Sequence, residues 1–168
     1  EVAEPAAHWD GLTMNHNGRL LALITGGSRG LGFESAKALR AQGFDLILVA
    51  KDASRLQSAA TELRSDSRPE MVITYSIDLE SASQTSAQLE KIAAAHPDIS
   101  HLILAHGVMS EKMSKTLKTN DAEWRRVMAI NLDSVFILVN GLVPSLAEAR
   151  KGRVIIYSAC LGRMSGPG

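Results

Sequence analysis

Glycines that follow directly on an aliphatic run supply the first candidate for chemistry. Residues 20–32 read L-L-A-L-I-T-G-G-S-R-G-L-G, a buried-strand pattern ending at Thr25 and then glycines at 26, 27, 30 and 32. The helical spacing that comes next makes this strand, tight turn and helix, a geometry that aims free N–H groups and a partial positive charge at an anion. Gly26 lets the chain leave the strand, and Gly30 removes a side chain where backbone must approach a pyrophosphate. Gly32 lets the helix pack closely, while Ser28, Arg29 and Leu31 complete the loop. No Gly-Lys-Ser/Thr follows, so this is not a loop that holds phosphate and magnesium for nucleotide hydrolysis.

In a parallel sheet the ligand binds at the carboxyl ends of strands, so the other candidates are residues that follow strand patterns. Lys51 and Asp52 follow the second, with Ala50 at the place where a carboxylate would bond a ribose 2′-hydroxyl. Arg29 and Lys51 could together grip a 2′-phosphate, the guanidinium as a planar fork and the ammonium as a point charge. The competing reading is that both are solvated surface charges, and Asp52 could reach the hydroxyl instead. Asp78-Leu79 follows the third strand, where the carboxylate could cap the next helix. Ala105, His106 and Gly107 follow the fourth, with Gly107 permitting close approach to a ribose. His106 is read as a surface or packing residue rather than a titrating one. No histidine has metal-ligand spacing with a cysteine or carboxylate, so no metal site is expected.

The elements that must position these residues alternate. Residues 1–18 carry Pro5, Gly11, Asn15, Asn17 and Gly18 without periodicity and read as a flexible lead-in, with Met14 as a candidate natural start. A helix over 33–42 ends at Gly43, a strand covers 45–50, and Ser54 with Gln57 suggests a capping box for a helix through about Leu63. A strand over 71–76, a helix over 83–96 stopped by Pro97, and a strand over 101–105 follow. Asn120 and Glu123 open a long helix from about Ala122 to about Leu142 or beyond. Gly152 precedes a fifth strand over 153–158. Strict alternation argues for right-handed parallel βαβ units with helices on both faces.

With 168 residues the chain is one domain's worth. Its 18 Lys and Arg balance 18 Asp and Glu, which excludes a basic surface for tracking nucleic acid. Apolar runs such as 46–50 and 135–139 fall short of the roughly 18 residues of a membrane helix, so no membrane partner is expected. Cys160 is the only cysteine, and a reducing cytoplasm is the expected location.

Thr25, Gly26, Gly30 and Gly32 in the spacing T-G-x-x-x-G-x-G resemble the cofactor motif of the short-chain dehydrogenase/reductase family. The resemblance implies a Rossmann-like doubly wound parallel sheet in the order 3-2-1-4-5. It implies NADP(H) as cofactor through bases at positions 29 and 51, and Asp78-Leu79 beside the adenine. Met128-Ala129-Ile130-Asn131-Leu132 is similar to the family's helix segment, whose asparagine bends the helix and holds a water in the proton relay, making Asn131 the catalytic candidate. Ala105-His106-Gly107 stands where the family has Asn-Ala-Gly, and the missing asparagine should weaken the hydrogen bonds that tie the strands. Gly152, Val154, Ile155, Ser158, Ala159 and Gly162 match G-x-[IV]-[IV]-x-x-S-S-x-x-G, with Ala159 where the carbonyl-polarising serine belongs. The family's Tyr-x-x-x-Lys tyrosine would fall about four positions after Gly168.

The resemblance therefore implies that residues 19–168 are an NADP-binding domain cut short before the Tyr/Lys motif. The implied reaction is hydride transfer between nicotinamide and a carbonyl or alcohol substrate, with homo-oligomerisation, by analogy, through the long helix and a second helix that in the family follows the tyrosine. The alternatives are a cofactor-binding regulatory or scaffold protein without catalysis, or an inactive fragment of an active reductase.

Overall fold

The computed structural model describes residues 14–15, 18–64, 71–110, 119–149 and 152–159. Five parallel strands form one sheet in the order β3-β2-β1-β4-β5, which is the expected Rossmann-like winding. They are β1 (Leu21–Thr25), β2 (Asp45–Ala50), β3 (Val72–Ser76), β4 (Ile99–Leu104) and β5 (Arg153–Ile156). The helices are α1 (Gly30–Ala41), α2 (Ala53–Leu63), α3 (Ala82–Ala95), α4 (Asp121–Met128) and α5 (Ser134–Glu148), the last two joined through a π-helical turn, Ala129–Asp133.

Side chains along β1 and β2 alternate between two cores because successive residues of a strand point to opposite faces. Leu21, Leu23, Ile47 and Val49 pack with Leu89 and Ile92 of α3 and Leu138, Leu142 and Leu146 of α5. Ala22, Ile24, Leu46 and Leu48 pack on the other face with Ala36 of α1 and Leu56 and Ala60 of α2. Strands β1, β2 and β4 are thus buried on both faces, as parallel strands between helical layers must be. Strand β5 is exposed along its length.

Several local expectations are corrected. The α2 N-cap is Asp52, whose carboxylate accepts from Arg55 N–H, so the Ser54/Gln57 capping box is replaced by a cap two residues earlier. Ser54 instead donates to Asp52. Strand β4 begins at Ile99 and ends at Leu104, which puts Ala105 beyond the ladder. Asn120 caps α4 as expected, accepting from Glu123 N–H at 2.9 Å. The helical stretch it opens runs unbroken for 28 residues, Asp121–Glu148, and contains an 18-residue window of mean hydropathy 1.7, long and apolar enough by length and composition alone to cross a membrane. The expectation from short apolar runs missed this because polar residues at wide intervals interrupt them. Its Leu138, Leu142 and Leu146 stripe packs on the sheet face, while Leu132, Phe136 and Val143 are exposed. From the lead-in, Asn15 is buried and donates to the Asp45 carboxylate at 2.6 Å, while residues 1–13 and 16–17 lie outside the described residues.

Candidate functional site

Every candidate for the cofactor site except Thr25, Gly27 and Gly32 lines one cavity of about 440 Å³ at the carboxyl ends of β1, β2, β3 and β4. Thr25 ends β1, Gly32 sits in the first turn of α1, and Asn131 borders an adjoining cavity of about 380 Å³. The glycine loop is built by three different constraints. Gly26 has φ +67°, and a Cβ there would stand 2.7 Å from Ala105 O, so the turn is pressed against the segment after β4. A Cβ on Gly32 would run into the Gly26 carbonyl, so close packing of α1 on its own loop demands glycine there too. Gly30 has φ +57° but nothing within 4 Å of its Cβ position. Its requirement comes from the backbone angle and from the open space ahead of it.

The start of α1 differs from those of α2, α3 and α4, which are capped by the side chains of Asp52, Ser81 and Asn120. Arg29 occupies the N-cap of α1 and makes no side-chain cap. The N–H groups of Gly30, Leu31 and Gly32 precede the first intrahelical bond, Phe33 N–H to Arg29 O at 3.4 Å. An uncapped twelve-residue helix thus opens onto the cavity with its dipole aimed at an anion.

Charge gathers at the far wall. Lys51 Nζ and Asp78 Oδ2 form an ion pair at 2.6 Å, which raises the lysine pKa and lowers that of the aspartate, in each case chiefly through that hydrogen bond. The two residues assigned separately to a 2′-phosphate and to adenine are therefore joined. Asp52 caps α2, with its pKa lowered mainly by the Arg55 N–H bond, while it also lines the cavity. Arg55, which sequence reading did not single out, also lines the cavity and lies 3.4 Å from Asp52. Its signal was its place in the first turn of α2, directly behind a strand end. Arg29 makes no ion pair among the described residues.

His106 takes the packing side of the expectation, and it does so by joining two elements. Its Nδ1 lies 2.6 Å from Thr25 Oγ1, while Nε2 lies 2.8 Å from Ser134 Oγ and 3.1 Å from Ile130 O. Burial pushes its pKa down, partly opposed by the Ile130 carbonyl. The strand-end tie expected to be weakened by a missing asparagine is made by the imidazole. Beside it the helix carries a π turn centred on Asn131, in which Ser134 N–H reaches back five residues to Ala129 O. Asn131 faces the loop after β4: Oδ1 accepts from Val108 N–H at 2.9 Å and Nδ2 donates to Val108 O at 2.8 Å. One N–H and one lone pair of the carboxamide remain for water or ligand. Ser158 and Ala159 line the second cavity, and Ala159 brings no hydroxyl to it. Residues 160–168 lie outside the described residues.

A family model described as short chain dehydrogenase matches residues 20–168. The chain belongs to the short-chain dehydrogenase family. Among curated relatives, a 3-oxoacyl-(acyl-carrier-protein) reductase of Escherichia coli is 30% identical over 92% of this chain and 60% of its own length. A galactitol 2-dehydrogenase of Cereibacter sphaeroides is 31% identical over 86% of this chain and 53% of its own. A metagenomic short-chain oxidoreductase solved in complex with NADP superposes with a TM-score of 0.76 at 26% identity, covering 83% of this chain and 62% of that one. This short-chain dehydrogenase chain thus spans between one half and two thirds of the length of these relatives.

Proposed function

We propose that residues 19–168 form the NADP(H)-binding portion of an oxidoreductase that exchanges hydride with a carbonyl or alcohol carbon of a small molecule, and that residues 1–18 are a lead-in to it. The observation that carries this reading is the uncapped N-terminus of α1, opening at Gly30 onto a cavity walled by Arg29, Lys51 and Arg55. The fit is chemical: free N–H donors for a pyrophosphate and a net excess of cations over Asp52 and Asp78 for a further phosphate. Two relatives support the cofactor, the NADP complex above and an L-sorbose reductase complexed with NADPH and L-sorbose at 25% identity and TM-score 0.76.

When bound, the nicotinamide supplies or accepts the hydride. The chain's residues bind and orient. Residues 26–32 seat the pyrophosphate, with Thr25 and Ser28 bracketing the loop's first turn. Arg29 holds the 2′-phosphate, helped by Lys51 once that lysine shares its charge between Asp78 and the ligand. Asp78 and Leu79 border the adenine, and Ala105 and Gly107 leave room for the nicotinamide ribose. Asn131 fixes the loop at Val108 and orders water at the second cavity. The exposed stripe of Leu132, Phe136 and Val143 supports homo-oligomerisation through the long helix. A cytoplasmic, small-molecule enzyme fits the composition.

Ala159 favours a second reading, cofactor binding without turnover, because no hydroxyl stands where the carbonyl oxygen would be held. Calorimetric titration tests the cofactor step. Saturable one-site binding of NADPH, tighter than NADH by about tenfold or more, is the expected outcome from one charge-assisted contact. Equal affinities would remove the 2′-phosphate assignment.

A further inference from the structure

The segment after β4 meets the π turn at a point where both cavities share a wall, and His106 lines both. Its two ring nitrogens face different elements. Ile130 O can only accept, so the proton rests on Nε2, which donates to it at 3.1 Å. Ser134 donates its hydroxyl hydrogen to the same carbonyl at 2.7 Å, which leaves Ser134 Oγ to accept from Nε2 at 2.8 Å. Nδ1 is then bare and accepts from Thr25 Oγ1 at 2.6 Å, the alternative acceptor for that hydroxyl, Ile103 O, being at 3.5 Å. Every contact is satisfied by the neutral imidazole protonated at Nε2.

The location explains why this matters. Because Ser134 N–H is drawn back to Ala129 O, the Ile130 carbonyl is met by two side-chain donors, Ser134 and His106. The next residue, Asn131, is the one clasped to the Val108 backbone, and Gly107 sits between His106 and Val108 with its Cβ position 3.3 Å from Asn131 Oδ1. A shift of the ring would move the floor of the cofactor cavity and the π turn together.

We infer that His106 is a positioning residue: by bridging Thr25 at the end of β1 to Ile130 and Ser134 of the π turn, it holds residues 107–108 and Asn131 in the register that the cofactor and substrate cavities require. The inference rests on the NADP(H) reading of the site and deepens it with a control on its geometry. Burial holds the imidazole's pKa down, partly opposed by the Ile130 carbonyl. Thr25, Ile103, Ile130 and Ser134, which face the ring, are neutral, and the charged residues of the shared cavity are Arg29, Lys51, Asp52, Arg55 and Asp78; protonation of the ring turns Nδ1 from an acceptor of the Thr25 hydroxyl into a donor and so disturbs the bridge itself. Cofactor affinity should therefore weaken as pH falls below the range of an ordinary histidine.

Two readouts test this. In nitrogen-15 imidazole spectra of the wild-type chain, His106 is expected as the neutral Nε2–H tautomer at pH 7 and to stay neutral below pH 6.5; the Nδ1–H tautomer would overturn the inference. In NADPH titrations, His106→Gln places its amide nitrogen where Nε2 stood and should keep affinity within about threefold, while removing the acid dependence. His106→Asn reaches only the Thr25 side and should lose about tenfold, with displaced Asn131 side-chain amide and Val108 resonances. Equal affinity and unmoved Asn131 and Val108 signals in His106→Asn would contradict the positioning role. Should wild type bind no NADPH, the cofactor reading fails, and the tautomer and the Asn131 signals still decide whether His106 holds the turn.

Discussion

Replacing Gly30 by alanine separates the demands of the fold from those of the ligand. Gly30 sits at φ +57° with no atom within 4 Å of a Cβ, so the substitution clashes with nothing in the protein. It does place an L-residue in the left-handed region, at a cost of about 1–2 kcal/mol. For a chain of this size that lowers the melting temperature by about 2–8 °C. Gly43, at φ +87° past the other end of α1 and equally free of neighbours, provides a matched control: Gly43→Ala should lose about the same stability by the same mechanism. The two variants should differ in ligand affinity. A methyl group at position 30 stands in front of the free N–H groups of α1, each worth about 1.5–3 kcal/mol when bonded to a charged oxygen, so loss of two weakens NADPH binding by on the order of a hundredfold or more. Thermal melts and fluorescence titration of NADPH on both variants give the comparison. If Gly30→Ala bound NADPH as tightly as wild type, or if Gly43→Ala lost as much affinity, residues 26–32 would not be the phosphate seat.

Arg29→Ala should weaken NADPH by about tenfold, the upper part of the range being discounted because the side chain is exposed, and weaken NADH by less than threefold; equal losses for the two would place Arg29 elsewhere. Melting temperature should fall from pH 7 to pH 5. Burial lowers the pKa values of His96, His101 and His106, so the unfolded chain takes up protons first, and stability that is complete above the ordinary histidine range erodes below it. Asp52 and Asp78 have lowered pKa values and lose their contribution only below the ordinary carboxylate range, so they do not mask this window. A flat or rising melting temperature between pH 7 and 5 would refute the histidine argument. In a protein that carries this chain together with the further length of its relatives, Ala159→Ser should raise carbonyl reduction by about 10²–10³, followed as loss of NADPH absorbance, if an oxyanion donor is what position 159 lacks.

The alternation of strands and helices and the glycine turn were legible because they depend on local chemistry, a β-strand pattern, a turn, and glycines where a Cβ would strike Ala105 or the Gly26 carbonyl, whereas the strand order came from the family resemblance. Asn120 was legible as a cap for the same reason. What escaped depends on residues far apart in sequence. The Lys51 and Asp78 pair joins the ends of two neighbouring strands, and each residue alone had looked available to a ligand. Asp52 appeared free because a better known capping pattern lay two residues on. His106 was read as a lone histidine because its partners, Thr25 and Ser134, stand 81 and 28 residues away, and nothing local marks Ser134. The π turn could be expected from Asn131 only as a bend, whereas its hydrogen bonds come from the opposing loop.

The most direct test of the NADP(H) assignment is a nitrogen-15 amide spectrum of the chain titrated with NADPH and, separately, with NADH. The expected result is saturable shifts confined to residues 26–32, 50–55, 78–79 and 105–108, with NADPH the tighter ligand and the two cofactors differing most at Arg29, Lys51 and Arg55. Shifts scattered over the surface, no saturation at millimolar NADPH, or identical behaviour of the two cofactors at those three cations would contradict it.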